Sequence, residues 1–185
     1  LIYFSVSYDE FKFIIITIMK KIGIYYGTSS GNTEEAAQLI AQKLGVASED
    51  IHDIYKSKVS PLDYEVLLLG SSSTGAGDMQ DDWETFLESL QKLDLTGKKV
   101  GLFSCGDAAT FSDTFCGAMG KIYEGLKGTG CTFIGADVST DGYTFDDSEA
   151  VVNDVFVGLP LDPDNESDLT ESRIDAWLEK IKTEI

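Results

Sequence analysis

The stretch Ile22 to Thr33, I-G-I-Y-Y-G-T-S-S-G-N-T, constrains this chain more than any other. Ile22 to Tyr26 is an apolar run of β-branched and aromatic residues, the pattern of a buried strand. It stops at Gly27 and gives way to Thr28, Ser29, Ser30, Gly31, Asn32 and Thr33. Glu34 to Leu44 then carries helix formers, with Ala37, Ile40, Ala41 and Leu44 on one side. A strand that ends in a small hydroxyl-rich loop and opens a helix suits an anion. Backbone N–H groups converge there, the helix N-terminus adds partial positive charge, and hydroxyls supply further donors.

What the loop lacks narrows the ligand. A triphosphate loop of the G-x-x-x-x-G-K-[ST] type needs a lysine after its second glycine. Here the Gly27 to Gly31 spacing is one residue short, Asn32 takes the lysine's place, and no cation occurs between Ile22 and Gln42. Neutral donors alone suit one terminal phosphate, not a magnesium-bound triphosphate.

The rest of the chain alternates strand and helix patterns. Strands are expected at Ile51–Tyr55, Glu65–Gly70, Lys99–Ser104, Thr132–Val138 and Phe156–Leu161. Helices are expected at Asp81–Leu93, with Trp83, Phe86, Leu87 and Leu90 inward, at Asp113–Leu126, and after Thr170, read as the cap of a last helix. Glu65–Gly70 is nearly all apolar, as in a central parallel strand covered on both faces. The pattern implies an α/β, doubly wound sheet. Three glycine- and hydroxyl-rich loops follow strands at their carboxyl ends, where open sheets of this kind bind ligands. Trp83 and Trp177 read as core, and the single histidine, His52, as structural.

The run Ile24 to Ile40 resembles the phosphate-loop signature of the long-chain flavodoxin family at Tyr26, Thr28, Gly31, Thr33, Ala37 and Ile40. The resemblance extends over about Lys20 to Glu184. It implies a five-stranded parallel sheet of order 2-1-3-4-5 whose last strand is interrupted by an insertion, here Ser139 to Val155. It also implies flavin mononucleotide (FMN) as cofactor, with Thr28, Ser29, Ser30, Gly31, Asn32 and Thr33 wrapping its phosphate. Two further loops match the family's ring-binding loops: one contributes Ser72, Ser73, Thr74, Gly75 and Ala76, the other Cys105, Gly106, Asp107 and Phe111. Phe111 stands where the family commonly stacks a tyrosine, and Thr74 where it often carries a tryptophan, which leaves one ring face less covered. Gly75 matches the residue whose carbonyl turns to accept a hydrogen bond from the flavin semiquinone, a flip that glycine resists little. Thr114 matches a ring- or chain-contacting position, and Asp164, in L-D-P-D-N, one near the ribityl hydroxyls. Gln80, Asp81 and Trp83 match the helix that follows.

By this resemblance the protein is expected to carry single electrons between a reductase and low-potential acceptors, with no substrate chemistry of its own. A quinone or flavin reductase on the same fold is the alternative. A phosphoacceptor receiver domain is excluded, because Gly70-Ser71-Ser72 and Gly27-Thr28-Ser29 lack the required acids.

Charge bears on partners. In 185 residues, 14 basic side chains face 32 acidic ones, a net charge of −18, so nucleic acid is a poor partner and a basic redox protein a good one. Acids near a flavin also oppose its second reduction. One carboxylate ~10 Å away at an effective dielectric of ~20 costs about 1.7 kcal/mol before screening, on the order of 70 mV for one electron. Asp78, Asp107, Asp113 and Asp141 are the candidates. Cys105, Cys116 and Cys131 have no metal spacing and suggest a reducing, cytoplasmic setting. The apolar stretch Phe11 to Met19 is too short to span a bilayer. Residues 1–18 are read as an upstream extension, or alternatively a short edge strand, and residues 19–185 as one domain, expected to be monomeric.

Overall fold

The computed structural model describes residues 20–185; the expected extension at 1–18 lies outside the described residues. Strand β1 (Ile22–Gly27) lies inside the sheet and pairs in parallel with β2 (Ile51–Asp53) on one side and β3 (Val66–Thr74) on the other. β3 pairs in parallel with β5 (Lys99–Cys105), which completes the central strands. β4 (Asp78–Met79) folds back antiparallel on the end of β3.

The outermost position is filled twice. β6 (Thr132–Ile134) pairs with the first half of β5, from Lys99 to Gly101, and β10 (Leu159–Leu161) with its second half, from Phe103 to Cys105. The parallel sheet order is therefore β2-β1-β3-β5-(β6, β10), the expected topology with its last strand interrupted. The interruption holds a small antiparallel sheet of β7 (Val138–Ser139), β8 (Val151–Val152) and β9 (Val155–Phe156), in the order β7-β9-β8. The runs Thr132–Val138 and Phe156–Leu161 are thus each divided between the main sheet and this insertion.

Helices α1 (Asn32–Leu44), α2 (Asp82–Gln91), α3 (Gly117–Leu126) and α4 (Ser167–Glu184) cover the two faces. Alternation in the strands sorts the core. Leu67 and Leu69 of β3 join Tyr25, Trp83, Leu87, Leu90, Met119 and Ile122 on the α2/α3 side. Val66 and Leu68 join Ile24, Tyr26, Ala37, Ile40, Trp177 and Ile181 on the α1/α4 side. A run apolar at every position is what a strand buried on both faces requires. Both tryptophans are core residues.

Two expected helix starts differ. α3 begins at Gly117, not Asp113, because Ser112–Thr114 forms a separate tight turn and Cys116 has φ +54. The left-handed residue lets the chain turn so that Gly117 packs against Gly77, where a Cβ would lie 3.0 Å from the Gly77 Cα. Thr170 does not cap α4, which already starts at Ser167; the Thr170 hydroxyl is buried inside the helix without a hydrogen-bond partner among the described residues.

His52 is buried on β2, and its Nε2 lies 2.7 Å from the Tyr64 hydroxyl, which donates to Asp50 at 2.8 Å. Since the Tyr64 proton goes to Asp50, His52 donates through Nε2–H. Burial lowers the His52 pKa, against the opposing pull of Asp50 and with a smaller lowering from Lys21. A base with a depressed native pKa stabilises the fold fully above its unfolded pKa of ~6.5 and loses that contribution as pH falls below it. Denaturant unfolding at pH 7.5 and 5.5 should therefore show a smaller loss of stability for His52→Gln than for the parent. Equal losses in both would contradict the assignment.

Candidate functional site

Three strand ends and a fourth loop meet at the carboxyl edge of the sheet. They surround an open cleft of about 290 Å³ lined by Ser29, Ser30, Asn32, Ser72, Ser73, Thr74, Gly75, Cys105, Gly106, Asp107, Phe111 and Asp164. Every lining residue belongs to the set expected from the sequence.

The loop after β1 forms one pole. The Gly31 N–H donates to Thr28 Oγ1 at 3.0 Å, which closes the turn, and Gly31 has φ +103 with open space where a Cβ would be. Among the described residues, the backbone N–H groups of Ser29, Ser30, Asn32 and Thr33 have no hydrogen-bond partner; the first helical bond is made by the Glu35 N–H to the Gly31 carbonyl. Thr33 is fully buried, and its hydroxyl has no hydrogen-bond partner among the described residues. Thr28, Gly31 and Thr33 thus shape the pole from behind the cleft wall. Orphaned donors at a helix N-terminus, with no cation beside them, fit one phosphate group.

The second element is a hairpin, where a loop is expected from the sequence. β3 runs on to Thr74, and Gly75 (φ +49), Ala76 and Gly77 (φ +76) make the turn into β4. The Thr74 hydroxyl donates to the Asp78 carbonyl at 3.4 Å, and Asp78 pairs with Lys121 at 2.6 Å. Of the acids expected near the ring, Asp78 is therefore partly neutralised by α3. A hydrogen bond of 3.2 Å between the Ser29 and Ser72 hydroxyls joins this element to the first loop.

The loop after β5 brings Asp107 and Phe111 into the lining of the cleft. Phe111 is 41 % exposed, an apolar face presented to the cleft. The Thr110 hydroxyl and backbone N–H, together with Asn165, hold the Asp107 pKa below the usual carboxylate range. Burial pushes the Cys105 thiol up to about 12, so it stays a neutral wall residue, not a nucleophile. Ala76 and Thr114 line an adjoining hollow that shares Gly75 and Phe111 with the cleft.

The fourth loop supplies a tie that the sequence reading missed. Asp162, 1 % exposed, accepts from the Ala108 and Asn165 N–H groups at 3.0 and 3.2 Å. Asn165 Nδ2 bridges Asp162 and Asp107, and Asn32 Nδ2 donates to Asp164 at 3.1 Å. The signal was present in L-D-P-D-N, a turn rich in short polar side chains, but which strand ends it would join is a long-range fact. Among the described residues no cluster of His, Cys, Asp and Glu is arranged to hold a metal ion, and no helix is long and apolar enough to cross a membrane.

Comparison with known proteins identifies the family. A flavodoxin family profile matches residues 24–177. A flavodoxin of Trichodesmium erythraeum is 44% identical over 173 residues, covering 90% of this chain and 98% of its own, and flavodoxin 1 of Escherichia coli K12 is 39% identical over 165 residues, covering 88% and 93%. The crystal structure of Fusobacterium nucleatum flavodoxin bound to flavin mononucleotide superposes with a TM-score of 0.82 at 32% identity, covering 90% of this chain and 99% of that one. A family match over residues 24–177, with 39–44% identity to curated flavodoxins over most of both chains, places this chain in the flavodoxin family.

Proposed function

We propose that the cleft binds FMN and that the protein carries single electrons between a reductase and low-potential acceptor proteins. The observation that carries this reading is the pole of N–H groups without partners among the described residues, in the same cleft as a wall formed by Phe111. Together they fit a ligand with one phosphate at one end and a planar ring at the other. A relative with the same fold is bound to FMN, whose ring supplies reversible one-electron chemistry.

The roles divide along the cleft. Ser29, Ser30 and Asn32 hold the phosphate through backbone and hydroxyl donors, and Thr28 and Thr33 fix their turn from behind. Asp164, already bonded to Asn32, accepts from hydroxyls of the linking chain. Thr74, Gly75, Asp107 and Phe111 flank the ring, with Cys105 and Gly106 forming its floor. Gly75, at φ +49, can present either its N–H or its carbonyl to the ring edge with little steric cost. Asp107 holds its charge to low pH and so disfavours added negative charge on the ring. The net charge of −18 steers basic partners toward the molecule.

Titration of the flavin-free protein with FMN and with riboflavin tests the reading. FMN is expected to bind with 1:1 stoichiometry and much more tightly than riboflavin, which lacks the phosphate. Ser30→Ala should weaken FMN by about 10-fold or more, the loss of one hydrogen bond to a charged group, and leave riboflavin unchanged. Because Ser30 is exposed, the variant should unfold no more easily than the parent. Equal affinity for the two flavins would contradict the phosphate pole.

A further inference from the structure

A second hollow opens outside the cofactor cleft, between the end of β2 and the start of α2. Its volume is about 350 Å³, and its lining includes Ile54, Tyr55, Asp81, Asp82, Thr85 and Phe86. The Phe86 ring is fixed from the core side, stacked on Tyr25 at 5.5 Å and edge-on to Trp83 at 5.3 Å. Ile54 is tied to β1 through its N–H, which donates to the Tyr26 carbonyl at 3.0 Å. Tyr55 is 75 % exposed, more than any other large apolar side chain among the described residues. Its backbone is nonetheless ordered. The Tyr55 N–H donates to Asp53 Oδ1 at 3.0 Å, and the Lys56 and Ser57 N–H groups donate to the Asp53 carbonyl at 3.0 and 2.8 Å. A part-buried apolar wall thus meets an aromatic ring left open to solvent.

Two carboxylates complete the lining. Asp82 accepts from Gln80 Nε2 at 2.7 Å while its own N–H donates to Gln80 Oε1 at 3.1 Å, which fixes its direction. Neither Asp81 nor Asp82 has an ion-pair partner among the described residues, and Lys56, next to Tyr55, is taken by Asp53 at 2.7 Å. The N-terminus of α2 offers only about half a positive charge, so the two acids leave the hollow negative. Gln80 also borders the loop after β1, since a Cβ on Gly27 would lie 2.6 Å from its Oε1. A group seated in the hollow therefore lies on the cofactor edge of the sheet without entering the cleft.

We propose that this hollow anchors an arginine side chain projecting from a basic redox partner, its guanidinium stacked on Tyr55 and hydrogen-bonded to Asp82. A guanidinium suits this lining better than an ammonium. It is planar and weakly hydrated, so it stacks on an aromatic face, and its fork of N–H donors matches a carboxylate. The apolar stem of the arginine lies along Ile54 and Phe86. A lysine head group is compact and strongly hydrated and gains only the charge contact. The partner's redox character rests on the electron-carrier reading above; the chemistry of the hollow does not.

The test uses the FMN-loaded, isotope-labelled protein. It is titrated at low salt with N-acetyl-argininamide and, separately, with N-acetyl-lysinamide, and backbone amide shifts are followed by NMR. The arginine compound should give saturable shifts centred on Tyr55, Asp82 and Phe86 and bind about 3- to 5-fold more tightly than the lysine compound. Tyr55→Ala should remove that preference. Asp82→Asn, which keeps an oxygen for Gln80 and loses the charge, should weaken both compounds by about 3- to 5-fold. Both positions lie outside the core and the cleft, so both variants should fold and take up FMN as the parent does.

Shifts spread evenly over the acidic surface, equal affinity for the two compounds, or a Tyr55→Ala variant that still prefers arginine would overturn the anchor. A parent that takes up no FMN would sink the carrier reading, and the same titration of the flavin-free protein would still decide whether the hollow selects arginine.

Discussion

Ser30→Asp is expected to abolish tight FMN binding while leaving the fold intact. Ser30 is exposed on the loop after β1, lines the cleft, and directly precedes Gly31 at the start of α1. The pole there holds only neutral donors, so nothing nearby can offset an added carboxylate. Two unit charges about 6 Å apart repel by ~3 kcal/mol at an effective dielectric of ~20, and a phosphate dianion doubles that. Even with half lost to screening, the dissociation constant should rise at least ~100-fold. The same carboxylate is favourable to the free protein, because an acid at a helix N-terminus contributes roughly 0.3–1 kcal/mol. The thermal midpoint of the flavin-free variant should therefore equal or exceed that of the parent. Ser30→Asn, neutral and of the same shape, should bind within a few-fold. Binding by Ser30→Asp as tight as by the parent would place the phosphate elsewhere.

The largest expected loss of stability comes from a single methyl group. A Cβ on Gly120 of α3 would lie 2.2 Å from the Glu149 carbonyl oxygen, 2.4 Å from its carbon and 2.7 Å from the Ala150 nitrogen. All three are backbone atoms of the insertion, so no side-chain rotation relieves the clash. Either α3 or the insertion must move, and both are packed: Ala150 is fully buried and its carbonyl accepts from the Val157 N–H at 2.9 Å. Alanine's better helix propensity returns about 1 kcal/mol, against an overpacking cost of 1–3 kcal/mol or more when backbone is displaced. With three sub-contact distances the upper end applies, and a net loss of about 2–4 kcal/mol follows. That corresponds to a fall in Tm of roughly 5–15 °C. Gly128→Ala, where nothing lies within 4 Å of the added atom, is the control and should change little. If Gly120→Ala melted with the parent, the insertion would not be seated on α3 as described.

The features that are legible in the sequence are those set locally. β1, β3 and β5 announce themselves because a strand buried on both faces must be apolar throughout, and the phosphate pole because strand, loop and helix start follow one another directly. The alternation of elements gives the sheet class, and the resemblance carried by Tyr26 to Ile40 gives its order. The failures have a common cause in long-range contact. Cys116 adopts a left-handed conformation that only packing of Gly117 on Gly77 accounts for, so the residues before it read as helix. Thr170 has a good capping side chain, yet α4 begins three residues earlier. The division of the last strand between β6 and β10 depends on which half of β5 each meets. In the cleft, single residues were visible but their ties were not: Ser29 with Ser72, Asn32 with Asp164, and Asp162 with the loop after β5 join positions far apart in the chain.

If this chain moves electrons one at a time through bound FMN, an anaerobic reductive titration of the FMN-loaded protein will show it. Two separate one-electron steps are expected, with absorbance passing through a long-lived half-reduced form and the second step at a much more negative potential. Gly75 accommodates the first step, and the acidic surface opposes the second. A direct two-electron reduction with no half-reduced form, or rapid reduction by a nicotinamide cofactor alone, would contradict it.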